Sequence, residues 1–347
     1  RIIQTSTQFL SLPPDARSSG MGETGPSTNL DCHANFWNAG KLGFTEFQSA
    51  IAFNYTAIIQ DDATTMRQAW LSGYKRVGLD NLIGYSIKHF KYGATTLKDE
   101  EGNEIAEGVT LNPVDYSISV TYSKKLGNNF AIGISPMYVY SGIANGLEAE
   151  GDTKGPGHAI ALNVGLYGES FNQNPKYSYG ITLNNIGTKL GYGKGHDKDF
   201  LPMKIRMGAA SNIQMENESA LTIAIELNKL LVPTPPIYDI DGKIVKGQGT
   251  NKSVPTAIFT SFTDSPGGLK EEIQEIEISM GCEYELSSHL IARVGIVHQN
   301  KHKGDRRHAT LGLGFKVRQT TVDFSYLQPF KVRQQHIFRM GVGFNFN

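Results

Sequence analysis

The sequence predicts an all-β chain: a fourteen-stranded antiparallel transmembrane β-barrel with an N-terminal plug in its lumen. Three observations carry that expectation. Apolar and polar residues alternate with period two over runs of about ten residues, the length that crosses a bilayer at a tilt of roughly 45° and about twice that of an ordinary strand. The connections between these runs alternate between short turns and longer loops. The composition is rich in Gly (38), Tyr (15) and Phe (17), while only 39% of residues are apolar. A mean hydropathy of -0.29 excludes a bundle of membrane-spanning helices. With 33 basic and 33 acidic residues in 347, the chain lacks the positive excess of a nucleic-acid binder.

Residues 1–46 have no periodicity and are expected to form the plug, because a barrel of this size has a lumen too wide for its own wall side chains to fill. A loose tail would leave Phe36, Trp37 and Leu42 exposed. Within this segment Asp15-Ala16-Arg17 is expected to pair with wall charges drawn from Lys204, Arg206, Glu226 and Glu283. Residues 47–347 then form the barrel. Candidate strands run 48–57, 68–76, 81–92, 114–126, 129–141, 157–168, 176–186, 202–211, 219–228, 274–286, 289–299, 307–317, 320–329 and 337–346. The alternation is clearest in three of them. Leu221, Ile223, Ile225 and Leu227 share one face of the ninth. Ile276, Ile278, Met280, Cys282, Tyr284 and Leu286 share one face of the tenth, and Ala309, Leu311, Leu313, Phe315 and Val317 one face of the twelfth. In a membrane barrel these faces meet lipid, and the glycine-rich polar faces line the lumen. A charge at Ile223 or Leu313 should therefore be costly, and one at Thr222 or Thr310 cheap.

Six connections are short: Val77-Gly78-Leu79-Asp80, Gly127-Asn128, residues 169–175, residues 212–218, Ser287-Ser288 and Arg318-Gln319. The rest are generally longer, up to the stretch 229–273. An even strand number with short turns on one rim puts both termini on the periplasmic side of a bacterial outer membrane. The chain opens on Arg1 and not on an acylatable cysteine, so contact with a membrane would be made by its own surface. The final strand, Arg339-Met340-Gly341-Val342-Gly343-Phe344-Asn345-Phe346, resembles the C-terminal insertion signal of bacterial barrels.

Enzyme chemistry finds no support. Metalloprotease, nucleophile-elbow and phosphate-loop patterns are absent, and His289 and His298 have no serine partner at a matched register. Leu190 to His196 is a glycine-rich loop without phosphate-loop spacing. Asp239-Ile240-Asp241-Gly242 lacks the bidentate Glu of a calcium loop and reads as a hairpin turn. Cys32 and Cys282 sit at no metal-ligand spacing and cannot form a disulfide framework. No catalytic residue, metal or cofactor is expected. Lys270-Glu271-Glu272-Ile273-Gln274-Glu275 is either one helical turn bearing on a partner or a solvated strand extension.

Further motifs resemble a known family. Pro14-Asp15-Ala16-Arg17-Ser18-Ser19-Gly20-Met21-Gly22-Glu23 and Phe36-Trp37-Asn38-Ala39-Gly40-Lys41-Leu42 are similar to the N-terminal hatch of FadL-like outer-membrane barrels, with Asp15, Arg17, Gly20, Gly22, Trp37 and Asn38 as its motif positions. With Leu231-Val232-Pro233-Thr234-Pro235-Pro236, Ser261-Phe262-Thr263-Asp264-Ser265-Pro266-Gly267-Gly268 and Asp323-Phe324-Ser325-Tyr326-Leu327, the chain more closely resembles the PorV (LptO) family of the Bacteroidetes type IX secretion system. It departs from that family's usual Asn-Pro-Ala by having Asn38-Ala39-Gly40.

The resemblance implies a shuttle and adaptor without chemistry of its own. It would bind the C-terminal signal domain of secreted cargo at a SprA (Sov) type translocon. It would then deliver the cargo to an attachment complex containing the PorU sortase, which links it to lipopolysaccharide. A FadL-like transporter of hydrophobic molecules, opened by a kink at Pro136, and a static subunit sealing the translocon's side opening are the alternatives. Cargo should meet the long-loop rim, where Ile237, Tyr238, Ile258, Phe259 and Phe262 are the candidate contacts, unless these aromatics fold back over the barrel mouth. The basic stretch holding Lys301, Lys303, Arg306 and Arg307 is either a lipopolysaccharide contact or a solvated loop.

Overall fold

A computed structural model describes residues 1–59, 65–96, 110–145, 148–149, 152–170, 173–193, 198–215, 218–330 and 335–347. Fourteen strands close into one antiparallel barrel: β1 Ser49–Ile59, β2 Thr65–Arg76, β3 Asn81–Lys91, β4 Val114–Leu126, β5 Phe130–Ser141, β6 Gly157–Glu169, β7 Lys176–Gly187, β8 Lys204–Gln214, β9 Ala220–Leu230, β10 Glu277–Glu285, β11 Leu290–His298, β12 Arg307–Val317, β13 Thr320–Pro329 and β14 His336–Phe346. Each pairs with its neighbours in sequence, and β1 closes on β14 from Ser49↔Phe346 to Ile59↔His336. Closure leaves no unpaired edge, which a sheet in hydrocarbon requires. The fold class, strand number and antiparallel order are those the sequence predicts.

Alternation sets the two faces. On β9, Ile223 and Ile225 are exposed while Thr222, Ala224 and Glu226 are buried; on β12, Leu311 and Leu313 are exposed and Thr310 is buried. Tyrosines gather where the strands meet the long loops: Tyr116 and Tyr140 stack at 4.6 Å, and the Tyr138 hydroxyl lies 2.7 Å from His158 Nδ1. Such side chains suit a bilayer interface, with an apolar ring and a polar tip. Among the described residues no helix is long and apolar enough to cross a membrane, and crossing is left to the strands.

The lumen is full. A short 3₁₀ turn Gln8–Ser11, helices α1 (Ala16–Gly20) and α2 (Ala34–Trp37), and a 3₁₀ turn Ala39–Phe44 run through it against the inner wall. Phe9, Leu10, Met21, Trp37 and Leu42 are buried there. This filling corrects the expected tolerance at Thr222 and Thr310. Thr310 Oγ1 accepts from Gly22 N–H at 2.8 Å and donates to Gly20 C=O at 3.0 Å, and Thr222 Oγ1 accepts from Asn212 Nδ2 of the neighbouring β8 at 2.8 Å and from Asn29 Nδ2 of the hatch at 3.4 Å. A charge at either position would meet packed chain instead of lumenal water. Ile223→Lys should cost roughly 2–4 kcal/mol of barrel stability by urea unfolding in bilayers. Thr310→Asp is now expected to be destabilising as well, where an open lumen would have made it nearly silent.

The hatch runs between the two rims. β1 begins and β14 ends on the short-turn rim, as an even strand number demands, and Asn345 N–H bonds Gln319 C=O there. Residue 1, however, sits on the long-loop rim. The Arg1 amino group bonds His302 C=O at 3.0 Å, and its guanidinium pairs with Glu271 at 3.0 Å. Segment 1–48 thus threads the lumen from one rim to the other.

Candidate functional site: the hatch and the long-loop rim

The hatch is fixed by charge and by close approach. Asp15 caps α1, accepting from Ser18 N–H at 2.8 Å, and its other oxygen takes the Trp37 indole N–H at 2.6 Å. Arg17 forks onto Glu283 of β10 (3.0 and 2.8 Å) and reaches Asp31 at 2.7 Å. Glu283 in turn holds Arg293 at 2.6 Å, and Arg293 holds Asp323 at 2.7 Å. One expected pair, Arg17 with Glu283, therefore forms, whereas Arg206 and Glu226 face each other at 3.4 Å and Asp15 bonds within the hatch. Bidentate guanidinium–carboxylate geometry fixes orientation as well as distance.

Backbone contact explains two glycines. At Gly20 a Cβ would stand 2.9 Å from Gly312 Cα. At Gly22, whose φ of +66° is left-handed, it would stand 2.3 Å from Met280 C=O. Asn38 joins the two halves of the hatch to the wall: Oδ1 accepts from Gly40 N–H, while Nδ2 donates to Pro26 C=O and Leu166 C=O. All six motif positions therefore lie in the lumen.

The rim is built by the chain between β9 and β10. Leu231, Val232, Phe200, Met203, Ala257 and Ile3 form a buried apolar cluster at its base. Ser253 caps α3 (Val254–Thr260), Pro255 stands in the first turn, and Ile237–Tyr238 pairs with Ile244–Lys246 as a hairpin. The Asp239–Gly242 stretch is that hairpin's turn, as its sequence predicts. A second helix, α4 (Leu269–Gln274), takes up the charged run, so the helical reading of that stretch holds.

A carboxylate–ammonium cluster locks the rim together. Lys229 pairs with Glu272 (2.9 Å) and Glu275 (2.5 Å), and Lys303 pairs with Glu271 (2.7 Å) and Glu275 (2.8 Å). Thr234 and Ser265 hydroxyls donate to the same Glu275 Oε1. Burial alone would raise the Glu275 carboxyl, but the bonds from Lys229, Lys303 and Thr234 outweigh it and hold it below the ordinary 4.5. Glu271 is lowered in the same way by Lys303 and Gly267 N–H against its own burial. A carboxyl depressed by folding contributes stability that is complete above its unfolded pKa and lost as pH falls through the folded value. Protection factors for amide exchange across residues 261–276 should therefore be high at pH 7 and fall below about pH 4, with those of the strand amides unchanged.

The candidate contacts divide. Phe259 is 78% exposed on α3 and Phe262 46% exposed beside Lys229, whose Nζ lies 5.8 Å from the ring. Ile237 and Tyr238 are exposed on the hairpin, whereas Ile258 is half-buried against the basal cluster and serves packing. Phe259 does not fold back over the mouth. Sequence reading missed Leu269 (76% exposed) and Ile273 (60%), an i, i+4 apolar pair within the charged run of α4.

The basic stretch also divides. Lys301 is exposed, but Lys303 is buried in the carboxylate cluster. Arg306 bridges Glu23 of the hatch and Glu277 of β10 at 2.6 Å each, and Arg307 turns to Asp305 at 2.7 Å. Carboxylates distant in sequence thus occupy Lys303 and Arg306, and neither is free for lipopolysaccharide phosphates. Among the described residues no group of His, Cys, Asp and Glu is placed to hold a metal, and Cys32 and Cys282 are free thiols. Part of the Leu190–His196 loop lies outside the described residues; its base closes through reciprocal backbone bonds between Leu190 and Asp199.

Comparison with known proteins decides the family. The model of the family described as "Type IX secretion system protein PorV" matches residues 1–237. The chain belongs to the PorV family. Membership makes it an outer-membrane component of type IX secretion, and the hatch and most of the wall fall within the matched span.

Solved barrels share the fold. The monoaromatic hydrocarbon channel CymD superposes with a TM-score of 0.61 at 12% identity, over 96% of this chain and 98% of that one. The toluene transporter TbuX of Ralstonia pickettii gives 0.59 at 12%, over 96% and 98%. A FadL homologue of Pseudomonas aeruginosa gives 0.50 at 11%, over 97% and 99%. At such identities the likeness is one of architecture, a FadL-like barrel. Direct sequence comparison with curated proteins gives no match.

Proposed function

We propose that this member of the PorV family is a shuttle and adaptor without catalysis of its own. It binds the C-terminal signal domain of secreted cargo, collects it at a SprA (Sov) type translocon and presents it to a PorU-containing attachment complex at the cell surface. The observation that carries this reading is the rim: a loop held rigid by the Lys229–Glu275–Lys303 cluster turns large apolar side chains outward. Exposed aromatics on a preorganised support are what a protein partner uses as anchors. In this reading the long-loop rim faces outward and the C-terminal end of β14 faces the periplasm.

A transporter reading has less support, because the hatch is tied to the wall by ion pairs from Arg17 to Glu283 and from Glu23 to Arg306. Purified protein should retain a cargo signal domain on an affinity column and should be recovered from cells with both the translocon and the attachment complex. Recovery with the translocon alone would favour the static seal. Radiolabelled fatty-acid uptake into liposomes carrying the protein would favour transport.

A further inference from the structure

We propose that a small inorganic anion of chloride size binds inside the barrel, between the hatch and strands β3, β7 and β8. A cavity of about 30 Å³ lies there. A single water needs about 10–15 Å³ on the same measure, so the space admits a monatomic anion with a water or two, and no acyl chain. Three cations line it, Lys88, Lys204 and Arg206, and no carboxylate does. All three are more than nine-tenths buried.

Their own partners do not balance them. Glu226 stands 3.4 Å from Arg206 Nη1 and offsets one charge, but Arg206 Nε has no hydrogen-bond partner. Lys88 Nζ donates to the carbonyls of Phe9 (2.8 Å) and Leu12 (2.6 Å), which are neutral groups. Among the described residues the Lys204 ammonium makes no hydrogen bond and no ion pair within 4 Å, its strongest opposing charge being the buried Glu277 farther along the wall. The hatch also holds two of these cations against one ring: Lys88 Nζ lies 4.7 Å from the Phe36 centroid and the Arg206 guanidinium 5.5 Å from it. Like charges held this close in a place of low dielectric repel strongly, and a water dipole cannot cancel a net charge.

The wall is shaped for the same spot. The β6–β7 pairing shifts register between Leu162 and Val164, and Asn185 takes a left-handed φ of 59°. Asn163 Oδ1 secures the irregularity by accepting from Asn185 N–H at 2.7 Å. Asn184 engages Thr182 through Oδ1, which leaves its Nδ2 donors for the cavity it lines. A bulge that re-aims side chains is a device typical of binding sites. The assembled donors are two ammonium groups, a guanidinium N–H and an amide, against one directly paired carboxylate, Glu226.

The test uses the whole protein in detergent, with chloride and bromide as probes. The ³⁵Cl resonance should broaden in its presence and the broadening should saturate; bromide should displace it. Crystals grown in bromide should show one anomalous peak within the cavity. Lys204→Gln should weaken the apparent chloride affinity tenfold or more, while Lys198→Gln, an exposed loop control, leaves it unchanged. Broadening that never saturates, a bromide-soaked crystal with no peak in the cavity, or equal affinity in Lys204→Gln and wild type would each overturn the site. The bromide experiment needs no variant and stands even where Lys204→Gln fails to insert.

Discussion

Replacing Phe259 and Phe262 together with alanine is expected to abolish recovery of cargo while leaving the barrel inserted and heat-modifiable on gels. Both rings stand clear of the wall, and neither belongs to the buried clusters, so the fold loses little. What is lost is two large apolar anchors, and truncating such anchors commonly costs 2 kcal/mol or more apiece, or roughly a thousandfold in affinity for the pair. Phe262 also covers Lys229, so limited proteolysis of the 231–276 loop separates a docking defect from a loosened loop. Phe259→Ala, which touches no part of the lock, reads docking alone. Normal co-purification of cargo by the double variant would move the site away from α3, and loss on Leu269→Ser with Ile273→Ser would move it to α4.

The second large effect concerns the hatch. Glu283→Ala leaves Arg17 and Arg293 buried, each with one carboxylate fewer, and stripping a partner from a buried ion pair costs about 3–5 kcal/mol. The variant should lose its folded gel form at a lower temperature than wild type. Protease added to the purified protein should also reach the hatch, releasing fragments from residues 1–48. Glu283→Gln, which keeps the shape and two acceptor lone pairs, should fall between the two. Wild-type heat stability and protease resistance in Glu283→Ala would mean that packing alone, through Trp37, Leu42 and the glycine contacts, seats the hatch.

The wall was legible because a barrel strand reports its two environments residue by residue. Ile223 beside Thr222 and Leu313 beside Gly312 already state lipid outside and lumen inside, and the turn lengths state which rim is which. The hatch was legible through its stranded aromatics and through Arg17, whose carboxylate partner on the wall was among the few on offer. The rim was not. Lys303 and Arg306 read as surface charges because Glu275, Glu277 and Glu23 lie 28, 29 and 283 residues away from them, and no local pattern announces such pairings. Thr310 reads as tolerant for the same reason, its neighbours in space belonging to the hatch, and Thr222 is held both by Asn212 of the adjoining strand and by Asn29 of the hatch. Leu269 and Ile273 were masked by the charges between them.

A segment that enters at one rim and leaves at the other, inside a ring closed from Ser49↔Phe346 to Ile59↔His336, is encircled as a thread is by a bead. At Gly20 and Gly22 it touches wall backbone, which leaves little clearance for drawing it through afterwards. The order of events during biogenesis follows from that geometry alone. The N-terminal segment must already lie against the sheet when the first and last strands zip together, which makes it a mandrel around which the wall is bent. Substitutions at Gly20 or Gly22 should therefore appear first as barrels that fail to seal, and only secondarily as barrels that work poorly.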